Sequence, residues 1–365
     1  MIPPFSHPTG VIITEEDIRE AKANNCDTAI YVLARQAGEG NDRKDIQGDY
    51  RLDDIEIENL KIASESFKNF IVVVNAGGVI DVSFLDSLHV SALVYYVQGG
   101  EEGGNALADV LSGKVNFSGK LATGWAYCFE DIPNNTTYSY LGGDPFNQEY
   151  NEGIYVGYRY FDSFGVEPRF HFGYGLSYTT FELKEKSVEL VDDTLKVTVE
   201  VKNTGDVAGK ETLQLYATVP FGDTGAEYQR LIDFEKTELI EAGETKEYTL
   251  ETNMKGLSCY DETKSSFVLR QGDYIIRLGN ASNNTNKIAV LENNKEQIVE
   301  KCFAACPVEH EINEIIVPAR EKEDLSEVQR IIISEDAVKT VEHSYPELPV
   351  NVDPYVEQMT DEQLI

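Results

Sequence analysis

The fold is decided by the stretch Thr28-Ala29-Ile30-Tyr31-Val32-Leu33-Ala34-Arg35 and by the loop that follows it, Gln36-Ala37-Gly38-Glu39-Gly40-Asn41-Asp42-Arg43. The first seven residues are β-branched, aromatic or aliphatic, and helical patterns stand before and after them. Such a run predicts a buried strand of a parallel sheet. The loop then leaves the carboxyl end of the strand, which is where open α/β sheets bind their ligands.

This loop carries an acid between two glycines. Gly38 and Gly40 let the backbone turn sharply beside Glu39 without shielding its carboxyl group, and Asp42 and Arg43 follow closely. An acid, a base and flexible backbone at the carboxyl end of a strand make a candidate active-site loop. The pattern alone leaves a second interpretation open, a solvated surface turn, because glutamate side chains are almost always exposed.

The residues that follow continue the alternation of strands and helices. The predicted elements are a helix opened by the Thr14 capping box, strands over residues 28–34, 70–74 and 91–96, and helices over residues 57–67, 80–88 and 105–111. This order predicts that residues 1–150 form an α/β sandwich, with a mostly parallel sheet covered by helices on both faces. No cofactor is predicted, because the glycine-rich run Gln98-Gly99-Gly100-Glu101-Glu102-Gly103-Gly104 lacks the dinucleotide fingerprint and places two acids where a pyrophosphate would sit.

The remainder of the chain divides by texture into three parts. Residues 151–185 form an aromatic-rich connector, whose rings are predicted to pack at a domain junction rather than to stack on a ligand. Residues 186–292 show about seven short alternating runs with turns between them, which predicts an immunoglobulin-like (fibronectin type III-like) β-sandwich. Residues 293–365 are predicted to be a charged tail and linker.

The charge of the chain excludes some classes of partner. The sequence has 64 acidic and 31 basic residues, and its formal net charge is −33. Such a surface cannot neutralise the phosphates of a nucleic acid, and an anionic membrane repels it. A neutral substrate such as a sugar is not repelled.

The cysteines and the first residues bear on location. Five cysteines are an odd number in a chain too large to need disulfides, which favours free thiols in a reducing compartment. Residues 1–10 lack the features of a signal peptide, so a cytoplasmic location is expected, and a secreted one stays open if the start is truncated. Cys302, Cys306 and His310 are spaced four apart, but no fourth ligand accompanies them and Pro307 interrupts the helix, so no metal site is predicted.

Four motifs resemble glycoside hydrolase family 3, the family of β-glucosidases and β-xylosidases, over nearly the whole chain up to about Asn280. They are Gly38-Glu39-Gly40-Asn41-Asp42-Arg43, Gly103-Gly104-Asn105-Ala106-Leu107-Ala108-Asp109-Val110-Leu111 with Ser118-Gly119-Lys120-Leu121, Glu152-Gly153-Ile154-Tyr155-Val156-Gly157-Tyr158-Arg159-Tyr160-Phe161, and Phe172-Gly173-Tyr174-Gly175-Leu176-Ser177-Tyr178-Thr179-Thr180-Phe181. The resemblance implies part of a retaining β-glycosidase that hydrolyses terminal non-reducing β-D-glycosyl residues. It implies Glu39 as the general acid/base and Asp42 and Arg43 as substrate-binding residues.

The sequence departs from the family in one respect. Family members carry a barrel domain that supplies an aspartate nucleophile in a Ser-Asp-Trp context and a Lys-His pair that grips the sugar. Here the only tryptophan, Trp125, follows Gly124, and no histidine follows a lysine. The chain alone is therefore expected to be inactive, with a barrel domain of the same polypeptide as its partner.

The last residues point to where that barrel lies. Thr360 and Gln363 have the spacing of a capping box, which predicts a helix that starts just before Ile365. This segment resembles the opening of the family's barrel, so a barrel is expected after Ile365, in the inverted domain order of some members. The rival hypothesis is a non-catalytic module that binds a carbohydrate or a protein, and a weaker one is a purely structural scaffold.

Overall fold

The computed structural model describes residues 10–36, 42–137, 146, 148–220, 226–304, 312–343 and 352–364. The helices are α1 (Glu15–Ala23), α2 (Asp54–Ser66), α3 (Gly103–Leu111), α4 (Tyr158–Phe164) and α5 (Asp361–Leu364). The strands are β1 (Thr28–Ala34), β2 (Asn69–Asn75), β3 (Ala92–Tyr95), β4 (Phe181–Val191), β5 (Thr194–Asn203), β6 (Thr212–Thr218), β7 (Arg230–Lys236), β8 (Thr245–Asn253), β9 (Cys259–Asp261), β10 (Ser266–Leu269), β11 (Gly272–Ala281), β12 (Asn284–Asn293), β13 (Gln297–Lys301), β14 (Arg330–Ile333) and β15 (Val341–Glu342). Among these residues no helix has both the length and the apolar character needed to cross a membrane.

The first part of the chain is mixed α/β, built on a parallel sheet in the order β1-β2-β3. The predicted strand over residues 28–34 is confirmed with the same bounds. Helix α2 begins where the Asp53 carboxylate accepts from the Glu56 amide at 2.8 Å while the Glu56 carboxylate accepts from the Asp53 amide at 2.9 Å. One face of the sheet packs with α2 into a core that includes Leu33, Leu60, Phe70, Val72, Val74 and Trp125.

The prediction that β1 is buried on both sides is wrong for the opposite face of this sheet. In β1, Ile30 is 53% exposed and Val32 is 51% exposed, and only Leu33 is buried. Helix α1 starts at the predicted Thr14 capping box but buries none of its residues. Strand β1 is an edge strand of the sheet in the described part of the chain, so its alternate side chains have a neighbour on one side only. The apolar composition of β1 therefore did not predict burial on this face of the sheet.

The predicted helix over residues 80–88 is a second difference. Only Ser83–Asp86 are helical, as a single 3₁₀ turn, while Ile80 and Val82 point into the core. The Asp81 carboxylate accepts from the Ser83 amide at 2.8 Å, and such a local bond competes with helical pairing. Helix α3 begins two residues before its predicted start at residue 105.

The second part of the chain is a β-sandwich. One layer has the strand order β4-β5-β8, and the other has β14-β12-β11-β6-β7. Alternate residues of both layers form one core, with fully buried side chains that include Val197, Val199, Leu213, Leu215, Leu250, Ile276 and Leu291. The sandwich begins at Phe181, inside the predicted connector, because β4 pairs with β5 from that residue onward.

The predicted tail from residue 293 is corrected as well. Strand β14 pairs in parallel with β12, and β13 pairs with β10. Val299 and Ile333 are buried in the sandwich core, so much of this charged segment folds onto the domain before it. Cys306 and His310, two of the three residues whose spacing raised the question of a metal site, lie outside the described residues. At the chain's end a one-turn helix begins at Asp361, and the Thr360 amide donates to the Gln363 side chain at 3.0 Å, which is half of the predicted capping box.

The connector joins the two parts through paired backbone and stacked rings. The Leu121 amide donates to the Tyr174 carbonyl at 2.9 Å, and the Gly173 amide donates to the Leu121 carbonyl at 2.8 Å. Tyr158 stacks on Phe172 at 4.7 Å between ring centroids and packs edge-on against Tyr216 of β6 at 6.0 Å. The prediction that the aromatic residues pack at a domain junction is confirmed for these two rings.

At Gly175 the backbone of the connector lies so close to the backbone of Gly119 that there is no room for a side chain. A Cβ atom there would lie 2.2 Å from the carbonyl oxygen of Gly119, a backbone atom that cannot rotate away. Gly175→Ala should therefore lower the free energy of unfolding by roughly 1–3 kcal/mol or more, measured by urea denaturation. Gly119→Ala is the matched control, because a Cβ atom at Gly119 has nothing within 4 Å. Equal stability of the two variants would contradict the close approach.

Candidate active site at the carboxyl edge of the parallel sheet

The proposed acid/base, Glu39, lies outside the described residues, which stop at Gln36 and resume at Asp42. The chain on both sides of it is described, and so is the sheet edge to which it is attached. The site can therefore be built from the two ends of the loop.

The end that leaves β1 is held by a buried ion pair. Arg35 directly follows β1, and its amide donates to the Asn75 carbonyl at the end of β2, at 3.0 Å. Its guanidinium donates to both carboxylate oxygens of Glu56, at 2.6 and 2.9 Å. The Arg35 side chain is 1% exposed and the Glu56 side chain 9% exposed, so little water competes with the pair. Arg35 also donates from Nε to the Asp49 carbonyl at 2.6 Å.

The end that returns from the loop is held by Asp49. Its carboxylate accepts from the Arg43 guanidinium at 2.8 Å and from the Lys44 amide at 2.8 Å. Arg43 is partly buried, whereas Asp42 is exposed. Since Arg35 bonds the Asp49 carbonyl and Arg43 bonds its carboxylate, both ends of the loop are fastened to one residue.

The segment between Lys44 and Arg51 is a compact turn that supports this anchor. The Arg51 guanidinium contacts both oxygens of the Asp45 carboxylate, at 2.6 and 2.9 Å. Tyr50 is buried with its ring edge-on to Phe129 at 5.1 Å, and burial raises the pKa of its phenol to about 12. The segment that follows the loop is therefore packed through Tyr50 against Phe129.

Arg43, at the returning end of the loop, lies near Tyr95 of the third strand, β3. Tyr95, the last residue of β3, has a phenol whose pKa is raised by burial, and the nearby positive charge of Arg43 opposes this rise. The Tyr95 ring packs edge-on against Trp125 at 5.1 Å. The returning end of the loop thus lies near the carboxyl end of β3, while Arg35 lies at the ends of β1 and β2.

The glycine-rich loop after β3 closes the same edge. Here Tyr96 covers two glycines, because a Cβ atom on Gly99 would lie 2.5 Å from the Tyr96 hydroxyl oxygen and one on Gly103 would lie 1.8 Å from it. Helix α3 then begins at Gly103, with Glu102 as its N-cap residue. The edge is therefore lined by a tyrosine and two glycines.

Sequence reasoning missed three residues that position the loop, namely Arg35, Asp49 and Glu56. Part of the signal was readable, because Glu56 stands three residues after the capping Asp53 and so opens a helix. That the same carboxylate also takes Arg35, 21 positions earlier in the chain, depends on tertiary packing. The candidate residues Glu39, Asp42 and Arg43 keep their assigned roles as predictions.

The α/β part and the sandwich each match a known protein domain. Residues 13–178 match the family profile described as the glycosyl hydrolase family 3 C-terminal domain, and residues 211–282 match the fibronectin type III-like domain. These domains place the chain in glycoside hydrolase family 3. The matches cover the sheet that carries the Glu39 loop and the middle of the sandwich.

Relatives of the chain are β-glucosidases. It is 36% identical over 250 residues to a β-glucosidase of Ruminococcus albus, which covers 68% of this chain and 26% of the relative. It is 35% identical over 332 residues to β-glucosidase A of Butyrivibrio fibrisolvens, with 78% of this chain and 40% of the relative covered. The chain thus spans between a quarter and two fifths of the length of these two relatives.

Solved structures of the family superpose on the chain. A β-glucosidase from Paenibacillus barengoltzii is 37% identical with a TM-score of 0.75, covering 80% of this chain and 33% of that one. β-Glucosidase 3B from Thermotoga neapolitana, solved in complex with glucose, is 38% identical with a TM-score of 0.73, covering 78% of this chain and 40% of that one.

Proposed function

We propose that this chain is the part of a retaining β-glycosidase of the β-glucosidase type that supplies the general acid/base, Glu39. The observation that carries the proposal is the double anchoring of the Glu39 loop on Asp49, at the carboxyl edge of a parallel sheet. A loop that only connects two elements needs no such fastening. A catalytic carboxyl group does, because it must be held close to one productive geometry.

The chemistry needs two carboxyl groups about 5–5.5 Å apart. One attacks the anomeric carbon, and the other protonates the departing oxygen and then takes a proton from water. Glu39 fills the second role. We assign the binding of sugar hydroxyls to Asp42, which is exposed, and to Arg43, whose guanidinium donates to the Asp49 carboxylate.

We assign the nucleophile to another part of the polypeptide. Around the base of the loop, three described carboxylates are already engaged by arginines: Asp45 by Arg51, Asp49 by Arg43, and Glu56 by Arg35. We propose that a barrel domain of the same polypeptide supplies the nucleophile and lies over this edge. In the complete protein we expect helices on both faces of the sheet, so that Ile30 and Val32 are covered.

We also expect a cytoplasmic location for the complete protein.

The 365-residue chain by itself should not hydrolyse an aryl β-D-glucoside above the buffer rate, because the second carboxyl group is missing. The measurement is release of the aryl alcohol by the purified chain, compared with Glu39→Ala. Turnover by the chain that Glu39→Ala abolishes would reveal a second carboxyl group within it.

The same assay on a longer protein tests the function itself. A polypeptide that joins this chain to a barrel domain of the family should turn the substrate over. A folded longer protein that binds glucose without hydrolysis would instead support the non-catalytic carbohydrate-binding module.

A further inference from the structure

A cavity of about 340 Å³ lies far along the chain from the Glu39 loop, between the connector and the sandwich. Its walls are formed by helix α4, the segment after it and the turn between β11 and β12. Phe161 is the first lining residue in the sequence, so no described residue of the α/β part lines the cavity. Its volume is at the lower end of the range for ligand cavities, roughly 300–1,000 Å³. It therefore suits a small ligand.

Two buried polar atoms of this cavity lack a well-formed hydrogen bond among the described residues. They are Nδ1 of His171 and the hydroxyl oxygen of Ser282, which lies near the Asp162 carboxyl group and acts to lower its pKa. The other ring nitrogen of His171 is engaged by the Glu167 carboxylate at 3.0 Å. Since nearly all buried polar groups in native proteins are hydrogen-bonded, such atoms indicate that a water or a ligand completes them.

The charges at the cavity select against an anionic ligand, because two carboxyl groups, of Asp162 and Glu167, line it against one guanidinium. Arg277 is 3% exposed and its guanidinium forms an ion pair with Glu323. The Asp162 carboxyl group accepts from the Gln229 amide at 2.9 Å, and burial raises its pKa. An anion would meet the carboxyl groups of Asp162 and Glu167, whereas the hydroxyl groups of a neutral ligand can donate to them.

The remaining walls combine hydrogen-bonding groups with rings. Asn283 and Thr285 supply an amide and a hydroxyl, while Phe161 and Tyr228 supply aromatic surface. A monosaccharide unit presents hydroxyl groups that both donate and accept, together with apolar C–H surface. Donors, acceptors and rings in a cavity of this size fit that chemistry.

We propose that this cavity binds one monosaccharide unit of a neutral carbohydrate, with sugar hydroxyls bonded to Nδ1 of His171 and to the hydroxyl of Ser282. The site is independent of the Glu39 loop, so it holds whether or not the chain is part of a hydrolase. It would let the connector and the sandwich take up sugar away from the reacting bond.

The test is saturable binding of D-glucose to the 365-residue chain, followed by NMR titration. Ser282→Ala should weaken binding roughly tenfold, as expected for the loss of a hydrogen bond of about 1.4 kcal/mol. The exposed Ser326→Ala is the matched control and should change the affinity less than twofold. Glu39→Gln should leave this binding unchanged, which separates the site from the proposed catalytic one. If Ser282→Ala does not fold, Asn283→Ala, at an exposed lining position, should weaken binding instead.

A crystal structure of the chain with D-glucose then decides the occupant. A sugar hydroxyl within hydrogen-bond distance of His171 and Ser282 is the expected result. The proposal is overturned if no saturable binding occurs in solution, if water alone joins the two atoms at saturating glucose, or if sulfate binds there as well as the sugar.

Discussion

Glu39→Gln in the complete enzyme should slow hydrolysis of alkyl β-glucosides by roughly a hundred- to ten-thousand-fold, the usual contribution of general acid–base catalysis. Activated aryl β-glucosides should lose far less in the step that breaks the glycosidic bond. An alkoxide is a poor leaving group and needs a proton as it departs, whereas a nitrophenolate leaves without one. The measurement is kcat/KM for both substrate types, in wild type and variant.

The control for this prediction is Glu101→Gln. Glu101 is an exposed acid in the glycine-rich loop at the same sheet edge, so its replacement changes the local charge equally. We expect kcat/KM within twofold of wild type for both substrates. Added azide should restore turnover of aryl glucosides by Glu39→Gln, because this anion attacks the glycosyl–enzyme intermediate without a general base. Equal losses on alkyl and aryl substrates, with no azide rescue, would remove Glu39 from the acid/base role.

Glu56→Ala should lower the free energy of unfolding of the α/β part by about 3–5 kcal/mol, because it leaves the Arg35 guanidinium buried without its counter-charge. The side chains of Arg35 and Glu56 are buried, and two charge-assisted hydrogen bonds join them. The carboxylate also accepts from the Asp53 amide, so the start of α2 is weakened too. Urea denaturation followed by the fluorescence of the buried Trp125, in the same core, gives the measurement.

The matched control for Glu56→Ala is Glu16→Ala, in the exposed pair with Arg19. Those side chains are 79% and 74% exposed, so water and salt screen the pair and its loss should be close to neutral. The double variant Arg35→Met, Glu56→Leu should recover much of the stability lost in Glu56→Ala, since no unpaired buried charge remains. A loss of stability in Glu56→Ala no larger than in Glu16→Ala would show that the pair is solvated.

Arg35 also links stability to the proposed chemistry. Arg35→Lys keeps the charge but loses the two-pronged bond to Glu56 and the bond to the Asp49 carbonyl. If the loop depends on this anchor, activity in the complete enzyme should fall more than the change in stability explains.

Local patterns were sufficient for the elements that build the candidate site. The run from Thr28 to Ala34 predicts β1 residue by residue, because a strand that packs one face on a core needs such side chains. Thr14 with Asp17 marks the start of α1 by a reciprocal bond within one turn. The order of strands and helices, together with the Glu39 motif, indicated the two domain types and the place of the loop.

Contacts between distant segments decided the rest. The exposed Ile30 and Val32 have the composition of buried residues, and only the position of β1 at the sheet edge leaves them uncovered. Likewise, the pairing of β14 with β12 turned a charged tail into a strand of the sandwich. The sequence by itself determined the local elements and the motif, since their bonds lie within a few residues. Only the tertiary structure joined Arg35 to Glu56 and Arg43 to Asp49, because burial and charge pairing depend on which segments meet in space.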